Sequence, residues 1–213
     1  MAKLMFENLK NKRGKTLYRD VETGFEYETV KGGLSWPGTL PAFICVLGQQ
    51  HKTGILRVLD EHYENNMDSL ARGCTTLESL YFVKSWIADC EGANKCFEDI
   101  LHDIGKSLDK TIRLTQPDLA NDLNLAIQLI RRQFNQNALV IPERGILQSR
   151  IEQLNQTDLT QPQMAEKFHE IQTLANVVYK FPRPDEVVER NRSKDAWGDW
   201  SKDEDKPGSW MGA

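Results

Sequence analysis

Acidic side chains stand at two points of the sequence where a strand is predicted to end. An apolar strand over 81–88 leads directly to Asp89, and a second strand ends in the pair Asp60 and Glu61. Ligands and metals gather at the carboxyl ends of strands in α/β sheets. Carboxylate oxygens suit hard divalent cations, and two such ions about 3.5–4 Å apart can hydrolyse a phosphodiester. These positions therefore indicate metal-dependent phosphodiester chemistry as one candidate function.

Each acid also has an ordinary structural interpretation. Asp89 precedes a predicted helix and is a residue type that caps helices, a role compatible with metal binding. Glu61 is the better inward candidate of its pair, because strand alternation places it on one face with the alternate residues of 55–59. A salt-bridged surface acid is the alternative for Glu61. His169, on a later predicted helix, is interpreted as a helix-surface histidine.

Strands come first along the chain, and helices then alternate with strands. The segment 25–30 alternates apolar and polar residues, 43–47 is a continuous apolar run typical of a central strand, and Gly54 closes a hairpin into 55–59. The remaining pattern predicts helices over 67–80, 92–108, 146–154 and 163–179, strands over 81–88, 111–115 and 138–141, and a helix after the candidate cap Asp118.

Composition divides the chain into three parts. Residues 1–24 are predicted to be a basic N-terminal arm, either solvated or in contact with phosphates. Residues 25–181 carry the periodic segments of a folded domain. Residues 182–213 combine Pro, Gly, many charges and three tryptophans, and are predicted to be a flexible tail.

Bulk properties narrow the class of protein. The chain has 213 residues, a hydrophobic fraction of 39% and a charged fraction of 27%, as is ordinary for a globular domain. A net charge of −4 argues against binding nucleic acid by bulk charge. The four cysteines form no C-x-x-C pattern, and no apolar run approaches the roughly 20 residues of a membrane span. We therefore expect a cytoplasmic protein without membrane contact.

Three segments, taken in order, resemble the C-terminal nuclease domain of tailed-phage terminase large subunits. They are Gly32-Gly-Leu-Ser-Trp36, Val58-Leu-Asp-Glu-His-Tyr-Glu64 and Trp86-Ile-Ala-Asp89. That family has a Gly-Asp-Trp-like first strand, a Leu-Asp-Glu-x-Tyr third strand and an Ala-Asp fourth strand. The resemblance extends from about residue 25 to 181, and the phosphate-binding loop of a terminase ATPase does not occur in the sequence.

The resemblance implies a fold, a chemistry and a set of partners. The fold would be an α/β RNase H-like mixed sheet, with three antiparallel strands followed by parallel strands and flanked by helices. The activity would be endonucleolytic cleavage of double-stranded DNA during genome packaging, with Mg²⁺ or Mn²⁺ held by Asp89 and Glu170. The partners would be a terminase ATPase motor, a small terminase subunit or a portal, in the cytoplasm of a bacterial host cell.

Two positions depart from the family pattern. Ser35 stands where the family has its first metal-binding aspartate, and a neutral hydroxyl cannot replace a bridging carboxylate. On the C-terminal helix, the third acid of the family is matched by Glu170, or by Glu166 one turn earlier. The sequence therefore predicts weak or absent two-metal cleavage, unless Glu28 or Glu61 substitutes.

Other functions remain open at this point. A catalytically inactive relative would bind DNA or packaging partners through its surface, and an adaptor unrelated to nucleic acid would use its strand-end acids only as caps. Candidate DNA contacts are four arginines of the C-terminal half, for which a solvated basic helix face is the alternative: Arg131, Arg132, Arg144 and Arg150.

Overall fold

The structure is a computed structural model that describes residues 6–10, 16–36, 41–89, 99, 102, 114–115, 117, 119, 122–155 and 167–200. Its strands are β1 (Phe6–Lys10), β2 (Thr16–Asp20), β3 (Glu26–Ser35), β4 (Ala42–Gln50), β5 (Leu56–Glu64), β6 (Trp86–Asp89), β7 (Leu114–Thr115) and β8 (Leu139–Val140). Its helices are α1 (Met67–Tyr81), α2 (Leu123–Asn135), α3 (Ile146–Asn155), α4 (His169–Tyr179) and α5 (Pro184–Trp200).

All the strands belong to one mixed sheet. Strands β1 to β5 are antiparallel neighbours in chain order, and β8 adds to β5 in parallel. Strand β3 pairs with β2 over its first residues and with β6, in parallel, over its last four. Strand β7 extends the parallel group beyond β6. The predicted mixed α/β class, with antiparallel strands followed by parallel strands and helices, is confirmed.

Helices cover both faces of the sheet and create two apolar cores. Helices α2, α3 and α4 pack over a cluster that includes Phe43, Cys45 and Leu47. Helix α1 packs over the opposite cluster, to which β4 contributes Ile44 and Val46. Every residue of β4 is buried, and the two cores on its faces explain why the run 43–47 is apolar without alternation.

Helix α4 lies directly against the backbone of β3. A Cβ built on Gly33 would come within 2.3 Å of Val177 Cγ2 and 2.9 Å of Thr173 Cγ2, both on α4. Real Cβ atoms do not approach other atoms this closely, so only glycine allows the helix to sit at this depth. The N-terminus of α4 is thereby placed over the carboxyl end of β3.

Substitution of Gly33 should therefore separate α4 from the sheet. We expect Gly33→Ala to lower the free energy of unfolding by about 1–3 kcal/mol, the usual range for overpacking a core. Urea denaturation of the variant measures the loss. The double variant Gly33→Ala/Val177→Ala should recover part of it, and strictly additive losses would show that the contact with α4 is not the cause.

Residues 6–10 and 16–20 of the predicted N-terminal arm form the strands β1 and β2. Phe6 is buried, stacked on Tyr27 at a centroid distance of 5.3 Å and edge-on to Tyr81. One buried aromatic anchors a strand whose other residues are mostly exposed. The remaining basic residues of the predicted arm lie outside the described residues, so the boundary at 24 stays a prediction.

The predicted flexible tail includes a helix. Helix α5 begins at Pro184 and buries Val187. Asn191 Nδ2 donates to the backbone oxygen of His51 at 2.6 Å, and Arg190 donates to the buried carboxylate of Glu28 at 2.6 Å. The first half of α5 is therefore docked on the β3–β4 end of the sheet, whereas the tryptophan side chains of this segment lie outside the description.

Other predicted elements are confirmed or shifted. Helix α1, the short strand β8 and helix α3 lie where the periodicity places them. Asp122, rather than Asp118, caps α2 by accepting from the backbone of Asn124 and Leu125, and Asp118 lies outside the described residues. In the predicted helix 92–108 only residues 99 and 102 are described, and both are helical.

No helix of the described chain is both long and apolar enough to cross a bilayer.

The docking of α5 can be tested through Glu28. Arg190→Ala removes a charged partner from a carboxylate that is 4% exposed, so it should lower the free energy of unfolding by about 1–3 kcal/mol. Arg192→Ala, an exposed position on the same helix, should change it by less than about 0.5 kcal/mol. Equal effects in thermal denaturation would argue against the ion pair.

Candidate functional site

Four residues line up across the carboxyl ends of β3 and β6. Ser35 pairs with Asp89 on one side and with Phe43 on the other, and Phe43 pairs in turn with Tyr63. Ser35 and Asp89 are the last residues of parallel neighbours, so their backbones emerge together. This is the juxtaposition that the strand order predicts. For Asp89 the description covers the backbone.

The side chain of Ser35 is hydrogen-bonded to helix α4. Its Oγ lies 2.6 Å from Nδ1 of His169, the first residue of that helix, and both residues are buried. His169 is also edge-on to Phe43, at a centroid distance of 6.5 Å. The interpretation of His169 as a surface residue is therefore wrong. A histidine at the start of a helix gives no indication of the serine that it meets 134 positions earlier.

Glu170, next to His169, is fully buried and already has charged and polar partners. Its Oε1 accepts from Tyr63 OH at 2.5 Å and from Arg150 Nε at 2.9 Å, and His169 Nε2 lies 3.5 Å away. Arg150 also donates to Tyr63 OH through Nη2 at 3.2 Å. Its Nη1 donates to Gln153 Oε1. Glu170 and Arg150 thus form an ion pair beside Ser35.

The electrostatics of this cluster are asymmetric. Burial, followed by the hydrogen bond from Tyr63 to Glu170, raises the pKa of Tyr63 to about 12, so its hydroxyl stays protonated and donates. Glu170 Oε2 is buried and has no hydrogen-bond partner among the described residues. One oxygen of the carboxylate therefore receives all the donors, and the other receives none.

Glu61 precedes Tyr63 by two residues on β5 and contacts a different helix, α3. Its Oε2 accepts from the backbone N–H of Leu147 at 3.0 Å, at the start of α3. A carboxylate at a helix N-terminus satisfies an orphan donor and interacts favourably with the helix dipole. Burial raises the pKa of Glu61, and backbone hydrogen bonds from Leu147 and Ile146 partly oppose the rise.

The predicted alternation of β5 is wrong at one point. The register with β4 shifts between Val46 and Leu47, so the β5 residue Leu59 is a bulge. Leu56 and Val58 face the α2–α4 core, Leu59 packs in the opposite cluster, and Glu61 reaches α3. Glu61 is directed inward because of the bulge and does not share a face with Leu59.

The cap provided by Glu61 predicts a pH dependence. We expect Glu61→Ala to cost about 0.5–2 kcal/mol by removing the acceptor for Leu147 N–H. Glu61→Gln keeps an acceptor without the charge. A raised carboxyl pKa favours the folded state below the unfolded pKa, and this contribution is lost as pH rises through the folded pKa. Because Gln does not titrate, the stability of Glu61→Gln relative to the wild type should rise as the pH increases above the ordinary glutamate pKa. Urea denaturation at several pH values measures this, and a constant difference would contradict the titration of Glu61.

The predicted site residues fall into two groups. Ser35, Glu170 and the backbone of Asp89 come together, with Glu61 and Arg150 beside them. Tyr63 belongs to the same cluster but was missed, because its partners are distant in sequence.

The remaining candidates differ in position. Arg144 is exposed in the turn before α3, with a left-handed backbone at φ 64°. Arg131 and Arg132 are exposed near the end of α2, which leads into β8 beside Leu56, at the opposite end of β5 from Tyr63. Glu28 lies seven positions before Ser35 and pairs with Arg190, so the idea that it substitutes for the missing aspartate is wrong.

The described donor set does not fit a pair of divalent cations. In the part of the chain whose side chains are described, no group of three or more His, Cys, Asp or Glu residues lies close enough to hold a metal ion. Ser35 is bonded to His169, and the carboxylate of Glu170 is neutralised by Arg150. Cations would have to displace both contacts.

Ser35, His169 and Glu170 also suggest a nucleophilic relay, since a serine hydroxyl, an imidazole and a carboxylate follow one another. Their burial argues against that chemistry. Ser35 is 4% exposed and Glu170 is 0% exposed, so a substrate carbonyl has no approach to the hydroxyl. In this fold the chain Ser35–His169–Glu170 fixes α4 on the sheet.

Comparisons with known proteins give a partial structural similarity. Two crystal forms of the large terminase from a thermophilic bacteriophage align with TM-scores of 0.39 and 0.38, at 12% and 13% identity. The alignments cover 55% and 54% of this chain but only 29% and 28% of the terminase chain. No protein-family model matches the sequence. No curated protein matches it either.

Proposed function

We propose that this chain is a terminase-like module that binds double-stranded DNA and does not itself cleave it by two-metal chemistry. One observation carries the proposal: the polar side chains of the strand-end site already have partners within the protein. The hydroxyl of Ser35 is hydrogen-bonded to His169, and the carboxylate of Glu170 is paired with Arg150. Two of the three positions that the family resemblance relates to metal binding, Ser35 and Glu170, thus have contacts that hold α4 to the sheet, and the third is Asp89.

The charge balance supports loss of cleavage over retention. Two divalent cations at about 4 Å repel each other by several kcal/mol at intermediate dielectric unless carboxylates compensate them. Ser35 supplies no negative charge, and that of Glu170 is already neutralised. The alternative, a metal-dependent packaging endonuclease with Asp89 as principal ligand, would require that Arg150 leave.

Support for DNA as the ligand comes from the motif order and from one exposed arginine. Arg144 stands in the turn before α3, whose first turn is capped by Glu61, and its left-handed backbone is uncommon for a residue other than glycine. Strained residues cluster at functional sites. An exposed guanidinium in the turn before α3 suits a phosphate. A terminase ATPase motor, a small subunit or a portal would be the partners in a bacterial host.

Absence of cleavage can be tested directly. Purified wild type, incubated with supercoiled plasmid and Mg²⁺ or Mn²⁺, should nick no faster than the Asp89→Ala variant. Gel electrophoresis of the plasmid gives the rates. Robust nicking that Asp89→Ala abolishes would establish the endonuclease alternative and refute this half of the proposal.

Binding is tested with the same duplex at several salt concentrations. We expect affinity to fall as salt rises, and Arg144→Gly, which removes the charge but suits the left-handed backbone, to weaken binding and reduce the salt slope by about 1. Arg72→Ala, exposed on α1 across the sheet, is the matched control and should bind as the wild type does. No salt-dependent shift at all would favour the adaptor unrelated to nucleic acid.

A further inference from the structure

The ion pair between Arg150 and Glu170 has an arrangement that a structural salt bridge does not require. Glu170 is fully buried, whereas the side chain of Arg150 is 27% exposed. The hydrogen bonds from Tyr63 and Arg150 both go to Oε1, which also lies 3.5 Å from His169 Nε2, whereas Oε2 is buried without a hydrogen-bond partner among the described residues. A buried carboxylate with one unused oxygen retains the capacity to bind a further cation or donor.

The charges explain why that capacity is not used. A guanidinium is always protonated, so Arg150 compensates the single charge of an ionised Glu170. The Tyr63 hydroxyl adds a hydrogen bond but no charge. A divalent cation at the same carboxylate would face the guanidinium at close range, and repulsion between like charges at a few ångströms is strong in a poorly hydrated site.

We infer that the Arg150 guanidinium takes the place of a divalent ion beside the Glu170 carboxylate. Its positive charge prevents such an ion from binding there. The position would accept a hard divalent cation only when Arg150 is withdrawn or replaced. This inference concerns the charge balance of the cluster and goes beyond DNA binding, because it holds whether or not the module binds a duplex.

The alternative for Arg150 is a purely structural one. An arginine that only stabilises the fold could be replaced by any group that restores the folded state. Its removal would not make the stability of the protein depend on a metal ion. The two cases differ in what Mn²⁺ does to variants at position 150, without any reference to cleavage.

The experiment measures Mn²⁺ binding by calorimetry, and melting temperature with and without Mn²⁺, for five proteins. They are the wild type, Arg150→Gln, Arg150→Lys, the double variant Arg150→Gln/Glu170→Gln, and Arg72→Ala as an exposed-arginine control. Wild type, Arg150→Lys and Arg72→Ala should neither bind Mn²⁺ at this site nor be stabilised by it. Arg150→Gln should melt about 10 °C lower, because it leaves a buried carboxylate uncompensated.

The decisive result is the response of Arg150→Gln to Mn²⁺. We expect saturating Mn²⁺ to raise its melting temperature by about 5 °C, with one ion bound, and to have no such effect on the double variant. If Arg150→Gln is unfolded without metal, Mn²⁺ should restore its circular dichroism while Glu170→Gln abolishes that recovery. Absence of any Glu170-dependent effect of Mn²⁺, or equally tight binding by the wild type, would overturn the inference.

These outcomes are distinct from those of the proposed function. Loss of DNA binding in the shift assay would remove the proposed ligand and leave the Mn²⁺ result unchanged. Conversely, a wild type that binds Mn²⁺ at Glu170 but does not nick plasmid would refute the role inferred for Arg150. It would leave the proposed DNA-binding function untouched.

Discussion

The close approach of α4 to the backbone of β3 is the constraint on which the rest of the site depends. Because Gly33 has no side chain, Val177 and Thr173 rest on the strand itself, and the first turn of α4 reaches the carboxyl ends of β3 and β6. Thr173 Oγ1 also donates to the backbone oxygen of His169 at 2.8 Å, so the residue that contacts the strand steadies the residue that contacts Ser35. Packing depth thus fixes which side chains of α4 meet the sheet.

That packing creates an electrostatic demand. Placing the start of α4 over the sheet carries Glu170 into a fully buried position, where an uncompensated carboxylate would cost several kcal/mol. The compensation comes from two other elements, Tyr63 on β5 and Arg150 on α3. Helix α3 is in turn fixed at its own N-terminus by Glu61, also on β5. Strand β5 therefore contacts both helices of the cluster, α4 through Tyr63 and α3 through Glu61.

The resemblance implied antiparallel strands followed by parallel ones, and the structure pairs the backbones of Ser35 and Asp89 as neighbouring strand ends. The inward direction of Glu61 was predicted for a reason that does not hold, since the bulge at Leu59 leaves no mark in the alternation. The strands β1 and β2 were missed because a single buried aromatic, Phe6, anchors a mostly exposed segment. The contact of Tyr63 with Glu170 spans 107 positions, and no local pattern encodes it.

The same residues can hold a fold or hold a cation, and their partners decide which. A carboxylate at the end of a helix is equally suited to both tasks, so its identity in the sequence does not settle the matter. In this chain the neighbouring position carries a neutral serine, and the facing helix carries a permanent positive charge. Both residues limit the negative charge available to a cation: Ser35 supplies none, and Arg150 compensates that of Glu170. The packing of α4 on Gly33 sets the position of the helix, and the contacts of His169 and Glu170 with Ser35, Tyr63 and Arg150 hold its first turn in place.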